Sequence, residues 1–284
     1  MIMEAATPDY LYHYTNVDSL ALILKNRSIR LNSLDKMDDL QEQMSTDKQN
    51  FGKFVFVSSW TADGTESIPM WRMYTPKQRG VRIKLPVNPF IEYLPTVAEV
   101  AHFTNSAYEG DGSLSPGFKT IIPTEDIFSG EFSLVNYAIN SQLFEVKYTD
   151  NEELLKPTVL KIIDDKFLIT LSNIGIYKNT YWEFQKEWRY RLMFLPISTQ
   201  KLIREQMQGK NEEMARLQMR TMSGQASLSF NHYDLYIRDE CFSDMSVTLS
   251  PDISESAKIF VNLLLKEYNP NCTIEESVLT NLIQ

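Results

Sequence analysis

Cysteine and histidine are scarce in this chain of 284 residues, with two cysteines and three histidines. Cys241 and Cys272 make no CxxC, and no histidine stands at metal-ligand spacing from them. That excludes a disulfide frame and a cysteine–histidine zinc site as organising principles, so the reading is no metal. Basic charge is also short: 28 Lys and Arg against 37 Asp and Glu give a net charge of −9. Such a balance speaks against a surface that grips duplex phosphates non-specifically, although a local basic groove is compatible with it. No apolar run approaches the roughly 20 residues that span a bilayer, and "MIMEAATPDY" has neither a basic n-region nor an apolar h-region. The expectation is a cytoplasmic protein without membrane contact. Walker loops, dinucleotide fingerprints, HExxH and GxSxG are all missing.

What is present is a mixed pattern of strands and helices. Asp9 to Tyr14 reads as a strand, and Asn16 or Asp18 can cap a helix whose Leu20, Ile23 and Leu24 form an apolar stripe. Ile29 and Leu31 alternate with polar residues as in a half-buried strand. The acidic "DKMDDLQEQ" reads as a solvated loop or helical turn. "KFVFVSSW" is a nearly unbroken run of β-formers, suited to a central strand. Ser67 and Pro69 open a short helix, and "RGVRIKLP" sets Val81, Ile83 and Leu85 against Arg82 and Lys84. "QLFEVKYT" predicts a strand, and Pro157 a helix with Leu160, Ile163, Phe167 and Leu171 inward. "EWRYRLMFL" predicts a strand, 198–222 a helical stretch interrupted by Gly209, and the tail a strand, a helix capped by Ser254, and a strand. The sum is one α+β domain over 1–284, with insertions at about 104–131, read as a surface excursion, and 198–225.

Three segments concentrate unusual chemistry. In "LYHYT", His13 and Tyr14 end a short strand just before a helix; a neutral imidazole there can donate to a ribose hydroxyl while a tyrosine stacks, or it can be a half-buried ring bonded to backbone. In "FVSSWTADGTESIPMWRMYTPKQRG", Ser58 and Ser59 end a strand, and Arg79 and Arg82 have the planar fork that suits a diphosphate. Trp71 there reads as core packing, whereas Tyr74 is open between core and ligand contact. In "YWEFQKEWRYR", Glu187 is placed to stabilise an oxocarbenium ion or polarise a ribose hydroxyl, or else to pair with Arg189 or Arg191 along the strand.

Together these segments resemble a bacterial domain-of-unknown-function family. Its members open with a Tyr/His-Tyr segment followed by an acidic motif, matched by Leu11–Leu34 and "LDKMDDLQEQ", with Asp39 and Glu42 near the acidic positions. This chain has "MDDLQE" where the family carries an Asn-Asp-Pro turn. The family's centre matches "FVSSW…MWRMYTPKQRGV", and its later motif matches Lys178, Trp182, Glu187, Trp188 and Arg189. Beyond that family the layout is similar to DarT-like and diphtheria-toxin-like mono-ADP-ribosyltransferases. That resemblance implies a split, mainly antiparallel β-sheet with flanking helices and NAD as substrate in its cleft. It implies His13 on a ribose, Ser58 and Tyr74 around nicotinamide, and Glu187, His13 and Tyr74 as the catalytic residues, with "QKE" in the Q-x-E form. The acceptor, protein or nucleic acid, is left open, as is a defence or toxin setting. The alternative is a non-catalytic nucleotide- or protein-binding module on the same fold.

Overall fold

The structure is a computed structural model that describes residues 7–47, 49–96, 98–99, 119–135, 143–163 and 166–283. Strand β1 (Tyr10–Asn16) passes directly into helix α1 (Val17–Asn26). Asn16, not Asp18, is the cap: its Oδ1 accepts the Ser19 N–H at 2.8 Å. Leu20, Ile23 and Leu24 turn inward as their spacing requires. Strands β2 (Ser28–Ser33), β3 (Val55–Thr61) and β4 (Gly80–Pro86) follow, with α2 (Ile68–Tyr74) between the last two. Ser67 caps α2 by accepting from the Met70 N–H at 3.4 Å.

Further along, β5 (Ser133–Val135), β6 (Leu143–Glu145) and β7 (Lys147–Tyr148) are short, as is β10 (Tyr177–Lys178). β11 (Glu187–Leu195) is the longest strand among the described residues. β12 (His232–Tyr236), β13 (Ser246–Leu249), the helix Glu255–Tyr268 and β14 (Thr273–Glu276) complete the frame. Ten strands make one mostly antiparallel sheet, ordered β12-β2-β3-β1-β4-β13-β14, with β11 pairing β3, β5 and β6. The chain is therefore α+β with a mainly antiparallel sheet and flanking helices.

β3 is central, as its unbroken apolar run predicts, and it serves two cores at once. Phe56 and Trp60 enter the main core with α1, while Val55 and Val57 enter a second core beside Phe51, Phe54 and Met193. β11 divides in the same way: Tyr190, Leu192 and Phe194 face the main core and Met193 the second. Period-2 alternation produces this split directly. Among the described residues no helix is long and apolar enough to cross a membrane.

Three expectations need correction. The stretch after Pro157 is not helical: β8 (Leu160–Ile163) and β9 (Lys166–Ile169) pair antiparallel, and the short helix Glu152–Leu155 precedes the proline. Val159, Ile162, Ile163 and Ile169 are β-branched, and that preference overrides an apolar spacing that happened to fit a helix. The insertion at 104–131 is not wholly a surface excursion. Residues 100–118 lie outside the described residues, but Ile121, Ile122, Ile127 and Phe128 are buried in the main core, the last two on the helix Thr124–Ser129. The run "QLFEVKYT" is two strands, not one, because the chain changes partners at the buried Val146, from β11 to β10. The helical stretch at 198–222 does divide at Gly209, whose φ is +64°, into Thr199–Met207 and Glu212–Met222.

Candidate functional site

The sheet parts along one edge of β3, between β1 and β2. β1 pairs continuously with β4, from Tyr10↔Pro86 to Asn16↔Gly80, but meets β3 only at Tyr12↔Thr61. β2 meets the same edge of β3 at Asn32↔Val57 and Ser33↔Phe56. Between those registers, Ser58, Ser59 and Trp60 face no strand on that edge among the described residues. His13 fills the gap. Its Nδ1 lies 2.8 Å from the Ser59 carbonyl oxygen, and its ring rests 5.0 Å from the Trp60 ring. A carbonyl only accepts, so Nδ1 carries the hydrogen and Nε2 is left as an acceptor. Burial lowers the ring's pKa against the raising effect of that bond, which favours the neutral form. The ring can thus accept from a ribose hydroxyl rather than donate to it, which reverses the direction expected from the sequence.

Across β3 stands a buried ionic cluster. β11 is in register with β3, Arg189 opposite Ser59 and Glu187 opposite Thr61. Glu187 Oε1 accepts from Arg189 Nε at 2.6 Å; its Oε2 accepts from Lys178 Nζ at 2.9 Å and Arg189 Nη2 at 3.1 Å. Arg189 is 1% exposed and also donates to Glu42 Oε2 at 2.9 Å and to the Gly175 carbonyl at 3.0 Å. Glu42 Oε1 lies 2.7 Å from Arg189 Nη1, but off the N–H direction, so this contact is an ion pair without a directed hydrogen bond. Burial pushes the Glu187 carboxyl up, yet Arg189 and Lys178 outweigh it and hold the group at about 2. For Glu42 burial wins, and its pKa is raised despite the same two cations. Of the two ion pairs the sequence allowed Glu187, the one with Arg189 forms. Arg191 instead donates to the Ser172 and Ile174 carbonyls at 2.9 and 2.8 Å.

Helix α2 brings Tyr74 to the same place. Trp71 anchors the helix: it is buried, packs edge-on to Tyr14 at 4.9 Å, and donates to Glu66 Oε2 at 2.9 Å. One turn on, the Tyr74 hydroxyl accepts from Gln185 Nε2, and Gln185 Oε1 accepts from Lys178 Nζ at 2.8 Å. A hydrogen-bonded chain therefore runs Tyr74–Gln185–Lys178–Glu187. Burial, ahead of the Glu187 charge, raises the pKa of the Tyr74 phenol, so it stays protonated.

His13, Tyr14, Ser59, Tyr74 and Glu187 all line one cleft. Ser58 is not on its wall. It accepts from Trp60 Nε1 at 3.0 Å and faces an adjoining recess that shares His13, Ser59 and Tyr74 with the cleft. Neither arginine expected for a diphosphate reaches the cleft. Arg79 pairs with Asp18 at 2.6 Å on the surface, and Arg82 lies 4.7 Å over the Tyr12 ring while donating to the Gly64 carbonyl.

The sequence reading also left out wall residues. Asp39 and Glu42, expected in a solvated loop, are 7% and 4% exposed and line the cleft with Lys178 and Gln185. The signal for Asp39, Glu42 and Lys178 was the family motif, which includes all three; local polarity pointed the other way. Among the described residues no group of three His, Cys, Asp or Glu side chains is arranged to hold a metal ion. Comparison of the chain with protein-family models, curated proteins and solved structures finds no match. The cleft must therefore be read from its own chemistry.

Proposed function

We propose that this chain is an NAD-dependent mono-ADP-ribosyltransferase with a fold of that type, acting on a protein or nucleic-acid acceptor. One observation carries the reading: His13, Tyr74 and Glu187, far apart in sequence, line a single cleft where the sheet parts. The chain order is the one the resemblance implies. His13 Nε2 would accept from a ribose hydroxyl, and the Tyr74 ring would flank the nicotinamide. Glu187, kept ionised by Arg189 and Lys178, would face the ribose carbon as positive charge develops on it. The C1′–N bond breaks with its electron pair leaving on neutral nicotinamide; the acceptor's lone pair then closes on C1′ and its proton passes to a base.

A second reading has its own observation. Both oxygens of Glu187 are occupied by cations, which weakens the field a transition state would feel and fits a module that binds nucleotide without turning it over. Incubation with NAD and measurement of released nicotinamide separates the two. The transferase reading expects release, reduced by about 100-fold in Glu187→Gln. Calorimetric NAD binding without release supports the module. Neither binding nor release overturns both.

A further inference from the structure

The helix Glu255–Tyr268 has two apolar faces, and the fold uses one of them. Ala257, Val261 and Leu265, each about one turn from the next, are buried in the main core beside Leu20 and Leu24 of α1. At 3.6 residues per turn, the direction opposite those three falls between Ile259 and Leu263. A surface helix ordinarily carries polar side chains there. Here Ile259, Phe260 and Leu263 are each more than half exposed. Leu263 lies four residues from Ile259 and three from Phe260, so the three side chains are neighbours on the helix surface. Single exposed apolar residues are ordinary, but a contiguous group that bares on the order of 300 Å² marks a contact surface. None of the three lines the cleft or its recess.

The charges around the patch say what covers it. Glu255 stands in the first turn and Lys266 in the last, about three full turns apart, so both lie on one flank of the patch. Both are exposed and neither is in an ion pair among the described residues, whereas Lys258, nearer the core, is already paired with Glu276. Ser256 and Glu267 have the same spacing and occupy the opposite flank. A two-fold axis through the middle of the patch, perpendicular to the helix, sets a second copy antiparallel and puts like flank against like flank. Each Glu255 then faces Lys266 of the other copy, and each Glu267 faces Ser256. Ile259 meets Leu263, and the two Phe260 rings meet near the axis. No like charges oppose each other, and the two helix dipoles run in opposite directions. A parallel pairing would align the dipoles and leave Glu255 without a cation.

We infer that this face pairs two copies of the chain as a two-fold, antiparallel helix dimer. The inference is independent of the NAD reading. Two such patches with their charged rims come near the roughly 1,000 Å² at the low end of specific interfaces, which sets the dissociation constant on the order of 10 μM.

Sedimentation velocity of the full chain from about 1 to about 200 μM tests this. The 33.0 kDa species should give way to one of twice the mass as concentration rises. Leu263→Lys alters only an exposed side chain and keeps a good helix former; it should weaken association by at least about 30-fold and leave the Tm of the dilute protein unchanged. Glu255→Lys and Lys266→Glu each set two like-charged contacts across the axis and should each weaken it about five- to tenfold. An equimolar mixture of those two variants should recover the association, because each supplies the charge that the other has lost. A monomer at every concentration hands the face to a different partner and overturns the inference. A dimer that Leu263→Lys leaves intact overturns it too, since the contact then lies elsewhere. So does a mixture that associates no better than either variant alone, which is incompatible with the antiparallel register.

Discussion

Replacing Arg189 with methionine should destabilise the protein in a way that acid partly repairs. Arg189 is 1% exposed and is the hub of the cluster: it bonds both oxygens of Glu187, Glu42 Oε2 and the Gly175 carbonyl. A carboxyl held at about 2 rather than its ordinary 4.5 contributes about 3 kcal/mol at neutral pH. That contribution is complete above the unfolded pKa and is lost as pH falls through the folded one. Glu42 has the opposite sign: its raised pKa withdraws stability as pH climbs above the ordinary carboxyl range.

In Arg189→Met, Lys178 alone faces two buried carboxylates, at 2.9 Å from Glu187 and 4.0 Å from Glu42. Breaking a buried pair in this way costs about 3–5 kcal/mol. With about 2.1 cal/mol/K of unfolding entropy per residue over 284 residues, 4 kcal/mol lowers Tm by roughly 7 °C. Thermal unfolding followed by circular dichroism, at about pH 7.5 and about pH 5, measures the effect. The deficit should shrink by about half at the lower pH, because both orphaned carboxyls then take up protons in the folded state. Equal deficits at both pH values, or a Tm change under about 2 °C at the higher one, would refute the account of the cluster.

Asn16→Ala should cost about 1 kcal/mol in urea unfolding through loss of the α1 cap, whereas Asp18→Ala, which breaks only an exposed pair with Arg79, should cost no more than about 0.5 kcal/mol. In a histidine-observed NMR titration, His13 should stay neutral below the ordinary imidazole pKa; stability then falls as pH drops from that value toward the lowered folded one, because the unfolded ring binds the proton first. His13→Phe, which keeps a ring but orphans the Ser59 carbonyl, should lose about 1–3 kcal/mol of stability, and His13→Gln, which keeps a donor, should lose less; the reverse order by urea unfolding counts against the wedge described for His13.

Elements whose periodicity is local were legible in the sequence. β1, α1, β3, β4 and β11 fall where their alternation or apolar stripe puts them, the Asn16 and Ser67 caps close as their side chains allow, and Gly209 breaks its helix. The cleft was half legible. His13, Ser59, Tyr74 and Glu187 stand out as polar or aromatic residues at element ends, where side chains face openings. "DKMDDLQEQ" could not be read correctly from its own composition, because an acidic run is ordinarily solvated. Glu42 is buried where Arg189, 147 residues away in sequence, and Lys178 meet it. The stretch after Pro157 failed for a different reason. Its apolar spacing satisfies a helix and its β-branched residues satisfy a hairpin, and the second preference prevailed.

The two halves of the cleft are consequences of one strand. On one edge of β3, the half-buried Ser59 carbonyl has lost its ladder partner, and His13 supplies a donor from the strand that has peeled away. On the other edge, Ser59 lies opposite Arg189 in unbroken register, which fixes Glu187 two residues earlier at the last pair of the ladder. A one-residue slip of β11 would turn Arg189 and Glu187 toward the main core and Tyr190 into the cleft. Tyr190 and Leu192, buried beside Phe90 and Phe194, oppose that slip. The packing of the apolar face therefore sets where the charges stand. The geometry that brings His13 and Glu187 into one cleft is thus enforced by residues that touch neither, which is why strands read for their apolar periodicity located a polar site.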